Sequence, residues 1–238
     1  VGLKLNPPAN YSGSFQLKIV STAEEVNLSG EEYDYSDNIT SVSANITVTV
    51  KPVADEPELT VRDQFIKEDG SATLSISAAP TDPSEYVTIT VTGIDTSWAV
   101  TNLAGGAYDA ATGTWTITLA PGASFNGGPT LQPPKDSDAD MTGIQVTATS
   151  TESDGTTASV SATTKIVVDA VIDTPVLTAT SPGGEEGTQI ALNIFTQTGE
   201  AANGTTDGSE AITSIIIKGV PDAFSLSAGT KLPNGDWS

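Results

Sequence analysis

Lys51-Pro52-Val53-Ala54-Asp55-Glu56-Pro57-Glu58-Leu59 returns 118 residues later as Asp169-Ala170-Val171-Ile172-Asp173-Thr174-Pro175-Val176-Leu177. The match extends outward from this phrase. Glu68-Asp69-Gly70 returns as Glu185-Glu186-Gly187, and Asp82-Pro83-Ser84-Glu85 as Asp207-Gly208-Ser209-Glu210. Each of the latter pair precedes an apolar β-branched run that ends in glycine, Gly93 or Gly219. Gly113-Thr114-Trp115 returns as Gly235-Asp236-Trp237, and Leu5-Asn6-Pro7-Pro8 matches Leu131-Gln132-Pro133-Pro134. Self-similarity at a fixed spacing is the mark of a repeat array. It divides the chain into 1–53, the C-terminal half of one unit; 55–171, a complete unit; and 173–238, the N-terminal half of a third. Roughly ten residues, the equivalents of 117–126, are missing between the two halves. Two readings follow: an excerpt from a longer array, which the non-initiator Val1 suits, or half-units completed between molecules.

Within the complete unit, short β-branched runs alternate with turn residues at intervals near ten, the pattern of a β-sandwich. The runs predict strands A at 57–62, B at 72–78, C at 86–94, D at 98–103, E at 114–119, F at 144–151 and G at 158–168. Tyr86-Val87-Thr88-Ile89-Thr90-Val91-Thr92 alternates apolar residues with threonine, which buries one face and wets the other. Asp154-Gly155 is a tight-turn dipeptide between F and G. No amphipathic helix stands out. Trp98 and Trp115 are expected to fill a core otherwise made of small apolar residues.

Composition removes much chemistry. The chain has 238 residues, no histidine and no cysteine. Disulfides, thiolate nucleophiles, Cys/His metal sites and imidazole triads are therefore excluded. Acids outnumber bases 30 to 9, for a net charge of −21. That charge opposes binding to nucleic acid and to anionic membranes. Only 16% of residues are charged, below the globular average, so the sequence reads as folded β structure with acidic loops rather than as a charged coil. No apolar run approaches the ~18–20 residues of a membrane span, and no signal peptide is visible. A carboxylate pair remains as a catalytic route, as in glycoside hydrolysis. With aromatics at 5% and the acids in loops, the chain is read as non-enzymatic.

Leu5-Asn6-Pro7-Pro8-Ala9-Asn10-Tyr11-Ser12-Gly13-Ser14-Phe15, Val53-Ala54-Asp55-Glu56-Pro57 and Asp207-Gly208-Ser209-Glu210 resemble the tandem Ig-like, cadherin-like repeats of giant bacterial RTX-type adhesins. The resemblance covers essentially the whole chain. It implies an all-β fold: tandem Ig-like β-sandwiches in an elongated rod, with half-domains at both chain ends. It also implies calcium at the junctions, a place on the bacterial cell surface, and a role in adhesion and biofilm formation. The calcium-binding nonapeptides of the RTX β-roll are absent from this sequence. In the complete unit Lys135-Asp136-Ser137-Asp138-Ala139-Asp140 replaces Ala9–Ser14 of the phrase.

Strand order in an Ig sandwich assigns each loop to one end. Glu68 and Asp69 (A–B loop), Asp136, Asp138 and Asp140 (E–F loop), Asp173 (linker) and Asp207 and Glu210 (next unit's B–C loop) are expected at one lower junction. Asp55, Glu56, Asp82, Glu85, Glu152 and Asp154 fall at the upper one. Like charges 4 Å apart repel by about 4 kcal/mol at an effective dielectric of 20. A hard divalent cation reverses that sign, and Ca2+, with six to eight oxygen ligands, suits carboxylates drawn from several loops. Asp136-x-Asp138-x-Asp140 begins like an EF-hand loop, but Met141 and Thr147 occupy its sixth and twelfth positions. The competing reading is solvated acidic loops.

The long loop from Glu24 to Asn38 carries Tyr33 and Tyr35 among several acids. It is either a tolerated insertion or a tip that contacts an upstream domain, binds calcium or grips a ligand. Three functions remain open: a calcium-stiffened spacer whose partners are neighbouring repeats, with a surface ligand held by other modules; a module that itself grips sugar or peptide; and a filament subunit completed between chains.

Overall fold

The structure, a computed structural model, describes residues 2–25, 39–205 and 208–238. Gly13–Glu24 (β1) and Ile39–Val50 (β2) form an antiparallel hairpin with Leu17 opposite Ile46 and Ile19 opposite Ala44. The middle of the chain holds Glu58–Arg62 (β3), Gln64–Lys67 (β4), Ala72–Thr73 (β5), Ser75–Ala79 (β6), Tyr86–Thr92 (β7) and Ala99–Asn102 (β8). It continues with Ala107–Asp109 (β9), Thr114–Thr118 (β10), Phe125–Gly127 (β11), Thr130–Gln132 (β12), Met141–Thr151 (β13) and Thr157–Asp169 (β14). Val176–Thr180 (β15) pairs with Asn193–Gln197 (β16), and a single helical turn, Gly199–Asn203 (α1), follows.

The middle strands make an all-β, Ig-like sandwich. One sheet has six strands in the order β4-β14-β13-β7-β10-β9. The facing layer is split into β11-β6-β3 and β5-β12-β8. Ile76, Leu74 and Leu131 from one layer meet Ile89, Val91, Trp115, Ile144, Val146 and Ile166 from the other, all fully buried. The predicted alternation holds on β7, where Val87, Ile89 and Val91 face inward. Threonine and serine on the outer face of β13 and β14 pair across the strands, Thr147 with Ser161 and Thr149 with Ser159.

Three features depart from the expected strand plan. Strand A divides at Asp63: β3 joins one layer and β4 crosses to run parallel to β14. The Asp63 carboxylate holds the crossing by accepting the Thr164 hydroxyl and the Lys165 N–H, each at 3.2 Å. The expected strand E, β10, lies on β7 in the six-stranded sheet, with Trp115 opposite Val91. Its place in the facing layer goes to β11 and β12, read from sequence as loop. Those two strands are separated by Gly128, where a Cβ would stand 2.4 Å from the Leu74 carbonyl oxygen, so only glycine permits this approach.

Trp115 is the largest fully buried side chain among the described residues, and its Nε1 donates to the Leu103 carbonyl at 2.8 Å. Its expected role as core filler is what the packing shows. Trp115→Ala is expected to cost about 3–5 kcal/mol by urea unfolding. Thr147→Ala, on the outer face, should stay within about 1 kcal/mol of the parent.

Candidate metal centre

The acidic residues collect at the two rims of the middle sandwich. At the upper rim, the register of β7 on β13 ends with Tyr86 opposite Thr151. One step further it sets Glu85 opposite Glu152. Both carboxylates are buried, and so is Asp82. Asp82 Oδ1 accepts the N–H and hydroxyl of Ser84 at 2.8 and 2.7 Å, which closes the turn into β7. Glu85 Oε1 accepts the N–H of Asp55, in the preceding linker, at 2.7 Å. Glu85 Oε2 is buried and, among the described residues, has no hydrogen-bond partner. Among the described residues, no lysine or arginine pairs with Asp82, Glu85 or Glu152. A buried carboxylate left in that state is costly unless a cation or proton joins it. Glu56 is exposed, and its carbonyl accepts the Thr81 hydroxyl.

At the lower rim, Asp69 Oδ1 accepts the Asp136 N–H at 2.9 Å, which ties the A–B turn to the loop after β12. Asp69 and Asp136 both take positive φ, 59° and 56°. Glu68 donates its N–H to Asp169 O at 3.0 Å, and its Oε1 accepts the Val171 N–H at 2.6 Å. Asp140 Oδ1 accepts the Val168 N–H at 2.8 Å. Asp136 is buried; Lys135 Nζ lies 3.3 Å from its Oδ2, which also accepts the Thr205 hydroxyl from the next unit. Asp138 is half-buried in the same loop.

The linker clamp of the upper rim is repeated here. The Asp173 N–H donates to Glu210 Oε1, as Asp55 does to Glu85. Asn203 Nδ2 donates to Asp173 Oδ2 at 3.1 Å. Gly199 makes room for the linker: a Cβ there would stand 2.3 Å from Asp173 Cβ.

The structure therefore brings Asp55 to Glu85, with Asp82 and Glu152 at the same rim. It brings Asp69 to Asp136, and Asp173 to Glu210. Among the described residues, no three carboxylates stand together as one metal-holding group. Asp207, Tyr33 and Tyr35 lie outside the described residues. Asp154 is exposed, unlike the buried acids of that rim. Its Oδ1 accepts the N–H and hydroxyl of Thr156 at 2.9 and 2.7 Å, and it borders a shallow hollow with Ser12–Ser14 and Thr49–Pro52 that holds no aromatic side chain.

Two residues of the lower rim escaped the sequence reading. Glu200, in α1, is buried and accepts the Ser209 hydroxyl at 2.8 Å, while its N–H donates to Glu210 Oε2. Thr205 makes the bond to Asp136. Glu200 and Thr205 lie in a stretch that lengthens the repeat spacing from 118 at Leu59/Leu177 to 125 at Glu85/Glu210, so neither has a counterpart in the middle unit.

No family model and no curated protein matches the chain. Among solved structures it is similar to a variant of BcpA, the major pilin subunit of Bacillus cereus, at 10% identity over 79% of this chain and 80% of that one, with a TM-score of 0.40. It is also similar to the third cohesin of ScaC from Acetivibrio cellulolyticus, solved with a ScaB dockerin, at 11% identity over 48% of this chain and 99% of that one, TM-score 0.32. A chimeric titin Z1Z2 tandem matches at 12% identity over 67% and 92%, TM-score 0.23. Likenesses this remote say nothing of what the chain binds. No helix among the described residues is long and apolar enough to cross a membrane.

The Asp154 turn yields a pH prediction. The Thr156 N–H, then its hydroxyl, hold the Asp154 carboxyl below the usual aspartate range. A lowered folded-state pKa gives stability that is full above the unfolded value, about 3.9, and is lost as pH falls through the folded one. Asp154→Ala should therefore reduce the acid-side slope of stability against pH, measured by urea unfolding from about pH 6 downward. Asp95 and Asp109 contribute to the slope in the same direction, since hydrogen bonds from Ser97 and from Thr112 with Ala111 lower them.

Proposed function

We propose that this chain is a non-enzymatic segment of an extracellular array of Ig-like sandwiches. In this reading it is the spacer of a large RTX-type bacterial adhesin, and calcium at its junctions stiffens it for adhesion and biofilm formation. The observation that carries the reading is the repeated clamp. Each linker presents an aspartate N–H to a glutamate of the unit that follows, Asp55 to Glu85 just before β7 and Asp173 to its counterpart Glu210. A device repeated at successive linkers holds each linker to the next sandwich, which is what a spacer requires.

The donor chemistry suits a hard cation. Every side-chain donor is a carboxylate, and one oxygen, Glu85 Oε2, is buried without a partner among the described residues. Calcium, when bound, supplies two positive charges to oxygen ligands and accepts carbonyl oxygens and water beside carboxylates. Asp55, Asp82, Glu85 and Glu152 would hold it at the upper rim. Glu68, Asp69, Asp136, Asp138, Asp140, Asp173 and Glu210 would share it at the lower one. Without it, these carboxylates hold the linkers through N–H groups alone and repel one another.

Calcium at 100 times its dissociation constant should stabilise the chain by about 2.7 kcal/mol per site, read as a rise in thermal midpoint. Small-angle scattering should show a longer, stiffer particle at constant mass. Glu85→Gln should lose the upper-rim part of the calcium response, yet exceed the parent in stability under chelator because it removes a buried charge. A midpoint and a maximum dimension both indifferent to calcium would sink the calcium reading.

A further inference from the structure

Just inside the upper rim of the middle unit, two oxygens are buried and, among the described residues, without hydrogen-bond partners: Glu85 Oε2 and Ser150 Oγ. The first belongs to the cation reading above. The second has no role in it. Ser150 lies on the inward face of β13, two residues after Ala148 and four after Val146, and all three are 0% exposed. Its neighbours on the adjoining strands are Val87 on β7 and Ala158 on β14. Neither side chain bonds a hydroxyl, so strand pairing leaves Ser150 Oγ unsatisfied.

The apolar pattern of β13 asks for a small hydrophobic residue here. The repeat that sets Ile19 at Val146 sets Ala23 at Ser150 and Glu25 at Glu152. The hydroxyl is therefore particular to the middle unit, and a buried hydroxyl is destabilising unless something joins it. The register shows what lies beside it. Ser150 faces Val87, so Glu85, two residues before Val87 on the same face, is its diagonal neighbour, within reach of a long side chain. Glu152, two residues beyond Ser150, is directly across from Glu85. Glu85, Ser150 and Glu152 thus share the corner where β7 begins and β13 ends, and Asp82 is buried in the turn that leads into it.

A bridging water would satisfy both oxygens, yet bring no charge to the three buried carboxylates, Asp82, Glu85 and Glu152. Among the described residues none of these is paired with lysine or arginine. A hard cation answers both needs, because it binds neutral and charged oxygens together. We propose that Ser150 Oγ and Glu85 Oε2 are the inward ligands of the upper-rim calcium, which therefore sits against the end of the sandwich core as well as against the linker. Glu85 joins the two, since its other oxygen accepts the Asp55 N–H at 2.7 Å. Calcium held there stabilises the middle sandwich itself and not only its joint. The inference rests on the calcium part of the proposed function and adds to it a neutral ligand beneath the rim.

The test uses the full chain, with calcium as the only added metal. Ser150→Ala installs the residue that the first unit carries at this position. In chelator its thermal midpoint should equal or exceed the parent's, because an unpartnered hydroxyl has gone. In calcium its midpoint should fall below the parent's, and calorimetric titration should show one site weakened by about 10–100-fold. Glu85→Gln should weaken the same site. Ser150→Ala added to Glu85→Gln should weaken it little further, since two ligands of one ion do not act independently. Three results would each overturn the proposal. A Ser150→Ala chain that binds calcium like the parent, with its midpoint moved equally in calcium and chelator, makes Ser150 a packing residue and leaves the calcium reading standing. Losses that add fully in the double variant separate Ser150 from the ion that Glu85 holds. A parent that neither binds calcium nor gains stability from it removes the calcium reading and this inference with it.

Discussion

A strand in the middle of a sandwich sheet needs neighbours on both edges and a facing layer. β13 is where the middle unit meets that demand. It pairs with β14 on one side and β7 on the other, and its inward Ile144, Val146 and Ala148 close the core over Ile76 and Leu74. Take that strand pair away and the unit becomes what residues 173–238 are: a two-stranded ladder and an apolar segment that forms a single bridge. Keep only the pair and the result is hairpin β1–β2, with its backbone satisfied and its apolar side in water. Backbone pairing is local and survives division of the unit; burial is not local and does not. The contrast between Ile144 and Val146, fully buried, and Leu17 and Ile19 in the lone hairpin, exposed, illustrates that difference.

The rims obey a second constraint. Linker backbone between sandwiches has no ladder to join, yet its N–H groups need acceptors. Here carboxylates provide them: Glu85 for Asp55, Glu68 for Val171 and Glu210 for Asp173. A charged acceptor makes a stronger bond than a carbonyl. It also brings several like charges to one rim and buries some of them. The acids that orient the linkers are the ones whose mutual repulsion has to be relieved, so geometry and cation demand come from the same side chains.

Much of this was legible in the sequence because it depends on local pattern. Alternation exposed β7 and β13, and repetition exposed Asp55, Glu85, Asp173 and Glu210 as recurring positions. The misplaced strand is instructive. Thr114–Thr118 alternates equally well in either sheet, and only the pairing of Trp115 with Val91 decides between them. Phe125–Gln132 is broken by Gly127-Gly128-Pro129, a turn signature, although Gly128 serves close packing on Leu74 rather than a loop. Glu200 and Thr205 carried no signal, since their roles come from a helical turn inserted between two repeat positions. Asp63 looked like any surface acid; its job appears only when β4 has crossed to β14.

Closure and charge meet at one place. In the middle unit Glu152, just beyond β13, faces Glu85, just before β7. The repeat spacing sets hairpin β1–β2 on β13–β14 with Ile19 at Val146, which puts Glu25, just beyond β1, at Glu152, while Glu210 is the counterpart of Glu85. The two acids that face each other at the rim of a complete unit thus recur as Glu25 and Glu210, and Glu210 Oε1 already holds the Asp173 N–H. In the middle unit the apolar strand that closes the core arrives with a carboxylate that opposes closure. Repulsion of about 4 kcal/mol between charges 4 Å apart, at an effective dielectric of 20, is of the size that a few buried aliphatic side chains contribute. A divalent cation at that rim turns the opposition into attraction. Closure of the core and cation binding at the rim are then linked equilibria, each strengthening the other by the same factor.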